Sequence, residues 1–334
     1  MKRQNMIYAI KEGKTIHISK VESGLKCDCI CPACAERLIA RKGTKVIHHF
    51  AHRSTVECEY GYQTSLHLAA KEIISENMQI NVPALYLTFP GTGRKMLLEN
   101  ERMLNVSEVI LEKRIHDIIP DILLVTDIGK IIVEIFVTHQ IDDKKKIKIK
   151  KLNIPTLEVD LSKFERDITK ETLREVLTTQ SEKKRWIYNG KREETYKRFI
   201  SVSEIKDIVA RGYALHVDDC PIKQRIWKGK AYANFIDDCY ECDYLIDYRK
   251  LQEGEKVFCS GKMRISCLKD FDIPLESRLQ ESNAKIEEEK YEKIAQGICP
   301  QCGNSLKIRQ GKYGEFFGCS NYPHCHFAFS YDKN

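Results

Sequence analysis

Residues 118–151, IIPDILLVTDIGKIIVEIFVTHQIDDKKKIKIKK, decide how the rest of the chain is read. Residues 122–126 and 130–137 are rich in Ile, Val and Leu, as neighbouring strands are, and Asp127-Ile128-Gly129 supplies a tight turn between them. A Pro-Asp pair opens the first strand, and Glu134 interrupts the second. Burying a lone carboxylate in such a run is costly unless it finds a partner. Asp121 and Glu134, on adjacent strands, can share one divalent cation at a sheet edge, because Mg²⁺ or Mn²⁺ takes hard oxygen ligands. Such an ion orients a phosphodiester and sharpens a water into a nucleophile. The plainer alternative is that Asp121 follows a turn-forming proline and Glu134 is an outward strand position. Lys144, Lys145, Lys146, Lys148, Lys150 and Lys151 come next, predicting a basic helix beside the sheet and suiting a phosphate-lined substrate.

The whole chain has 334 residues, enough for more than one domain. Hydrophobic residues at 42% and charged residues at 31% fit a soluble globular protein, and the net charge of +7 matters less than the clustering of its lysines. No apolar run approaches the ~20 residues of a membrane span. The first ten residues lack the apolar stretch of a signal peptide. The expected location is the cytoplasm, without membrane association. Disulfides are rare there, so fourteen cysteines in three clusters, each with a Cys-x-x-Cys, point to zinc.

Taken in order, MIYAIKEGKTIHIS reads as a β-hairpin turning at Glu12-Gly13. In KCDCICPACAERLIARKGTKVIHHFAH, Cys31-x2-Cys34 and His49-x2-His52 form a set able to close a tetrahedral zinc shell, with His48 an alternative to His49. Cys27, Cys29 and Cys58 are left over. QTSLHLAAKEIIS predicts an amphipathic helix with Leu66, Ala69, Ala70, Ile73 and Ile74 buried. His67 and Lys71, one turn apart, can face one phosphate or carboxylate, or form a solvated polar face. Short strands follow up to Glu112, and LNIPTLEVDLS gives another after the lysine run, before a helix over residues 169–177.

The succession CPAC…HHFAH, LHLAAK, PDILLV…IIVEIFVTH, a lysine-rich helix and IPTLEVDLS resembles the competence protein CoiA-like family, across about residues 25–165. That family is similar to PD-(D/E)XK nucleases joined to an N-terminal zinc-finger-like module. The resemblance implies an α/β, restriction-endonuclease-like mixed sheet flanked by helices, with a metal-dependent phosphodiesterase site. It places Asp121 and Glu134 at the motif carboxylates and His67 and Lys71 at the family's helix pair. Two departures stand out. Phe136 occupies the position of the motif lysine, so either Lys144 or Lys145 reaches in from the next helix, or binding survives without cleavage. Gln63 stands where relatives carry a glutamate.

EKKRWIYNGKREETYKR reads as a charged surface hairpin around Asn189-Gly190 with a buried Trp186. In the middle cluster, Cys220, Cys239, Cys242 and Cys259 are the expected four-thiolate set, and Cys267 alternates with Met263 and Ile265 as a core strand position. Residues 275–296, polar nearly all round, predict an exposed helical spacer. The tail carries Cys299-x2-Cys302 and Cys319-x5-Cys325, with His324 and His326 weaker ligands, and is similar to the four-cysteine zinc fingers of type IA topoisomerases. That likeness implies binding of single-stranded DNA. Lys307, Arg309 and Lys312 suit phosphates, while Tyr313, Phe316, Phe317 and Tyr322 offer stacking faces or form the ribbon's small core.

The expected organisation has six parts. They are a zinc-finger module over 1–60, a nuclease-like domain over 61–178 and a connecting segment over 179–215. A zinc module over 216–272, a spacer over 273–297 and a zinc ribbon over 298–334 complete it. The expected function is a Mg²⁺- or Mn²⁺-dependent DNA nuclease with about three structural zinc ions per chain. It acts on DNA that is single-stranded or has single-stranded regions, in competence, recombination, repair or phage defence. The alternatives are a non-cleaving DNA-binding protein of the same pathways and a zinc-ribbon protein adaptor.

Overall fold

The computed structural model of the chain describes residues 6–45, 47–54, 58, 60–138, 140–163 and 169–330. The chain divides into two compact units, Met1–Tyr86 with Leu97–Glu193, and Leu87–Met96 with Glu194–Asn334. No helix among the described residues is long and apolar enough to cross a membrane.

The first unit opens with the antiparallel hairpin of β1 (Tyr8–Lys11) and β2 (Lys14–His17), then a second pair, β3 (Leu38–Arg41) and β4 (His49–His52). Helix α1 (Gly61–Glu76) follows, and the apolar residues set at helical spacing, Leu66, Ala69, Ala70, Ile73 and Ile74, are all buried. After β5 (Gln79–Val82), β6 (Leu85–Thr88) pairs with β7 (Lys95–Glu99). The chain then runs through β8 (Arg102–Leu111), β9 (Ile122–Thr126), β10 (Gly129–Phe136), α2 (Asp143–Leu152), β11 (Thr156–Asp160), α3 (Lys170–Thr178) and β12 (Lys184–Tyr188). The sheet order is β12-β11-β10-β9-β8-β5. Its pairs are antiparallel except β10 with β11, which are parallel and joined through α2.

Strand parity separates two cores. Ile122, Leu124, Ile131, Val133, Ile135, Leu157 and Val159 pack with α1, α3 and the N-terminal hairpins. Leu123 and Ile132 face the other way, against Ile149 of α2. Asp121, Glu134 and Glu158 share the parity of that second face. The two edge strands are tied by side chains. Lys184 Nζ donates to the carbonyls of Asn81 (2.9 Å) and Gln180 (2.5 Å), Asn81 Nδ2 to that of Thr179 (2.8 Å), and Trp186 Nε1 to that of Pro83 (2.9 Å). Neither edge is left as a bare template for pairing.

In the N-terminal segment, Met6, Tyr8, Leu38 and Phe50 belong to the same core as Leu66 and Val133. The expected hairpin at Asn189-Gly190 is instead a strand followed by α4 (Gly190–Ser201), since the Asn189 side chain accepts the Lys191 amide at 3.1 Å and starts a helix.

In the second unit, β13 (Glu204–Arg211), β14 (Ala214–Asp218), β15 (Arg225–Trp227), β16 (Lys230–Asn234), β17 (Leu245–Leu251) and β18 (Gly254–Cys259) form a sheet in the order β15-β16-β14-β13-β18-β17. Phe199 is fully buried between the rings of Phe89 and Phe271, both edge-on. Helix α5 (Leu275–Ala295) buries little beyond Arg278 and Ile294, as expected of a polar spacer. The chain ends in a small sheet of β19 (Leu306–Gly311), β20 (Gly314–Cys319) and β21 (Ala328–Ser330).

Burial pushes the Lys184 ammonium down to about 8. Its carbonyl contacts nevertheless join the sheet edges, so Lys184→Ala is expected to cost ~1–3 kcal/mol in urea unfolding of the full chain. An unchanged unfolding midpoint would show that the edges hold without it.

Candidate functional site

The acidic centre lies where β9 begins and β10 ends. Ile122 pairs with Val133, so the next position outward sets Asp121 beside Glu134 on one face. Asp121 Oδ2 accepts the amide of Ile135 at 2.9 Å. Asp121 Oδ1 lies 3.6 Å from His67 Nδ1 and 3.5 Å from Lys71 Nζ, both on α1, while Lys71 also holds Glu112 at 2.6 Å. From α2, Lys145 Nζ donates to Glu134 Oε2 at 2.7 Å. Glu134 is 4% exposed, and its Oε1 is buried with no hydrogen-bond partner.

Environment sets the two carboxyls apart. Burial would raise Asp121, but the His67 ring 3.6 Å away, the hydrogen bond from the Ile135 amide and the Lys71 ammonium outweigh it and hold the group at about 2. For Glu134, burial dominates and the Asp121 charge adds to it. Against Lys145 and His67 they still push it up to about 7. One carboxylate is fixed in its charged form while its neighbour titrates near neutrality, a division typical of functional sites.

Of the two candidate lysines, Lys145 reaches the centre and Lys144 is exposed. The Asp142 side chain caps α2 by accepting the Lys145 amide at 2.6 Å, which fixes where that side chain starts. Gln63 accepts from the Thr138 hydroxyl at 2.6 Å. The sequence reading passed over Glu158. It pairs in register with Glu134 across β10 and β11, is 1% exposed, takes Arg185 Nη2 at 2.6 Å on Oε1, and leaves Oε2 without a partner. Its signal was in plain view, a carboxylate inside the apolar run Leu157-Glu158-Val159, as Glu134 is.

At the N-terminus, Cys31, Cys34, His52 and Cys58 bring their ligand atoms within 4.8 Å of one another, with Cys34 Sγ 3.3 Å from His52 Nε2 and Cys31 Sγ 4.0 Å from Cys58 Sγ. Zinc–thiolate bonds of about 2.3 Å imply tetrahedral edges of ~3.8 Å, so these residues fit zinc. His49 is a correction. It pairs with Arg41 while His52 pairs with Leu38, and residues three apart on a strand point to opposite faces, so His49 turns away and Cys58 completes the set. The His49 ring instead meets the Ile47 carbonyl at 2.8 Å. Cys27 and Cys29 are buried and bonded to backbone carbonyls.

At the C-terminus, Cys299, Cys302, Cys319 and Cys325 form the second compact set, with Cys299–Cys325 at 3.7 Å and Cys302–Cys319 at 3.3 Å between sulfurs. Arg309 lies flat across Gly318, where a Cβ would stand 2.9 Å from its Cδ, and its guanidinium sits 5.8 Å over the Tyr322 ring. Lys307, Arg309 and Phe316 therefore line one sheet face beside Tyr322, which is 60% exposed. Lys312 and Tyr313 occupy the hairpin tip, with Tyr313 95% exposed. Phe317 and Phe329 pair on the opposite face.

In the second unit, Cys220, Cys239, Cys242 and Cys259 line one cavity. Cys267 is not on a strand, as the alternation suggested. It caps the helical turn Leu268–Asp272, exchanging hydrogen bonds with Asp270.

Two measurements test these assignments. Cys58→Ser is expected to remove one zinc ion per chain, whereas His49→Ala leaves zinc content unchanged; the reverse pattern would restore the histidine pair. Glu134 has a folded pKa above its usual 4.5, so the stability tied to its proton is complete below pH 4.5 and is lost as pH rises through about 7. Glu134→Gln keeps the neutral form throughout. It is expected to stabilise the fold by on the order of 1–3 kcal/mol at alkaline pH, with little effect in mild acid. Equal unfolding midpoints at alkaline pH would contradict the strained carboxylate.

Residues 14–61 match the family described as Competence protein CoiA, N-terminal domain, and residues 296–334 match Topoisomerase DNA binding C4 zinc finger. The DNA topoisomerase 1 of Campylobacter jejuni is 38% identical over 61 residues, covering 18% of this chain and 9% of that protein. That of Methanothermobacter thermautotrophicus is 51% identical over 37 residues, 11% of this chain and 5% of that protein. An uncharacterized protein of Haemophilus influenzae is 59% identical over 32 residues, 10% of this chain and 18% of that protein. The chain thus spans less than a fifth of the length of each of these relatives. No solved structure matches it. The chain therefore carries a segment similar to the CoiA N-terminal domain near one end and one similar to the topoisomerase C4 zinc finger at the other.

Proposed function

We propose that this protein is a metal-dependent DNA nuclease of the PD-(D/E)XK type, whose zinc ribbon binds DNA. One observation carries the reading. Lys145 Nζ sits 2.7 Å from Glu134 Oε2, beside Asp121, which provides the lysine that the strand lacks at Phe136. The element order agrees, with α1, the antiparallel run β8-β9-β10, then α2 and the parallel strand β11 supporting a restriction-endonuclease-like core.

The acidic centre has the donors for Mg²⁺ or Mn²⁺. Glu134 Oε1 is buried without a partner, and Asp121 is held ionised next to it. The chemistry such an ion supplies is polarisation of a phosphate oxygen and activation of a water. The protein's own residues do the rest. Lys145 offsets negative charge developing on the phosphoryl oxygens, and Lys71, with the His67 ring beside it, presents a polar edge to the incoming phosphate. Burial on the sheet keeps both carboxylates aimed inward.

The C-terminal ribbon supports DNA as the substrate. Its matching family is described as DNA binding. Arg309, Lys307 and Lys312 supply phosphate contacts, and Tyr322, Phe316 and Tyr313 supply stacking surfaces for unpaired bases. The CoiA-like N-terminal segment supports a place in competence or related DNA processing. Phe136 favours a second reading, in which the centre binds DNA and does not cut it.

Cleavage of single- and double-stranded DNA by the full chain with Mg²⁺ or Mn²⁺ tests the proposal. Asp121→Ala and Glu134→Ala are expected to reduce cutting by about 10³-fold or more, Lys145→Ala by about 10²-fold, and Lys144→Ala hardly at all. Binding without scission under either ion would select the second reading, and equal cutting by all variants would place the activity elsewhere.

A further inference from the structure

The four cysteines of the second unit come from three places in its sheet. Cys220 follows β14, Cys239 and Cys242 lie in the turn after β16, and Cys259 ends β18. They line one cavity of about 30 Å³, room for a single ion. Two of the sulfurs already have the amide hydrogen bonds that a thiolate needs. Cys259 Sγ accepts from Gly261 N at 3.4 Å, and Cys242 Sγ accepts from Tyr244 N. Each donor lies two residues after its cysteine. The same offset joins Ala33 to Cys31 and Asn321 to Cys319, each at 3.4 Å, in the two compact clusters. Amides directed at sulfur are the contacts that support a cysteine ligand in its metal-binding orientation.

The loops around this cavity are held by a dedicated side chain. Arg264 is buried and donates to the carbonyls of Gly261 and Pro221 (3.1 Å for the latter) and to the Ser282 hydroxyl at 3.0 Å. It thereby pins the loop after Cys220 to the loop after Cys259. Gly261 allows the approach, since a Cβ there would stand 2.9 Å from Pro221 Cγ and 3.2 Å from Cys259 Sγ.

Charge gives a separate indication. Zinc with four thiolates carries a net charge of two minus, so its surroundings must supply cations. Lys206 lines the cavity. Arg94 stands within electrostatic range of Cys242, and its Nε and Nη2 are buried with no hydrogen-bond partner, though Nη1 meets Ser266 O at 3.4 Å and Asp243 at 3.6 Å. The Arg94 side chain is 27% exposed and its guanidinium also lies over the Phe89 ring at 4.5 Å, while Nε and Nη2 remain without acceptors. Beside a dianionic centre this guanidinium is the compensating charge.

We propose that Cys220, Cys239, Cys242 and Cys259 hold a third structural zinc ion, with Arg94 and Lys206 balancing the charge of the four thiolates. Binding draws the sulfurs inward to the tetrahedral spacing of the other two clusters. Cys267, committed to its helical turn, stays outside.

The site is independent of the nuclease reading, and a chain that never cuts DNA still carries it. Metal analysis of the full chain, purified under reducing conditions, is expected to give three zinc ions. Cys242→Ser and Cys259→Ser are each expected to give two, and Cys267→Ser three. Should the serine variants fail to fold, the wild type decides by thiol labelling. N-ethylmaleimide followed by peptide mass spectrometry should find the four cysteines protected in the native protein and labelled after chelation. Arg94→Met should speed the loss of one zinc to a chelator by about tenfold. Two zinc ions per chain, with these four thiols labelled in the native protein, would overturn the site. Unchanged zinc release from Arg94→Met would overturn the charge assignment.

Discussion

Two carboxylates forced side by side at the end of a buried strand pair are the constraint on which the first unit depends. Glu134 sits among Ile, Val and Phe, and Asp121 is its neighbour across the sheet. Left alone, such a pair would drive the strands apart or take up protons. The fold answers from both sides of the sheet, with the His67 ring and the Lys71 ammonium from α1 and the Lys145 ammonium from α2. The helices therefore do more than cover apolar faces. Their registers are set so that short, directed contacts meet at one point. Replacing such a network with apolar residues would often be neutral for stability, so keeping it is better understood through the chemistry it permits.

The two compact sulfur clusters answer a different shortage. In the C-terminal ribbon the buried core is little more than Cys299, Cys319 and Cys325 with Leu306 and Phe327 against them, so the metal site stands where a hydrophobic core would be. Near the N-terminus, Cys31 is part of the large core and Cys58 packs against it. A metal there fastens β3 and β4 to the start of α1, next to Gly61, whose Cβ would lie 3.4 Å from Cys31 Sγ and 3.6 Å from Cys58 Sγ. One site replaces a core and the other anchors an irregular segment to an existing one.

How much of this the chain discloses in one dimension depends on the type of constraint. Strand and helix periods are local, so the buried stripe of α1 and the placement of Asp121 beside Glu134 follow from residue order alone. Closing a metal shell is not local. The HxxH spacing suggested His49, yet the strand period sends it away from His52, and Cys58 joins the set by a juxtaposition that no spacing rule contains. Nor could linear order separate Lys144 from Lys145, because that choice rests on where Asp142 caps the helix. At Asn189-Gly190 the same two residues serve a turn or a helix start equally well. The neighbouring Asn153, whose Oδ1 would stand 2.8 Å from a Cβ on Gly190, belongs to a distant part of the sequence.

The placement of Lys145 on α2, with Phe136 on the strand below, shows what such a centre fixes and what it leaves free. Positions 134 and 136 share a strand face, and α2 lies over that face, packed through Ile149 against Ile132. A lysine at 136 would approach the carboxylate along its own strand, whereas Lys145 approaches from the helix above. The quantity under constraint is the position of an ammonium group relative to a buried carboxylate oxygen, and a four-carbon stem satisfies it from either origin. With the stem on α2, position 136 carries an apolar ring, half-buried in the sheet. That placement also ties the cation to the helix cap, since Asp142 fixes the turn from which Lys145 extends. The register of α2, and hence the sequence between β10 and β11, thereby becomes part of the centre.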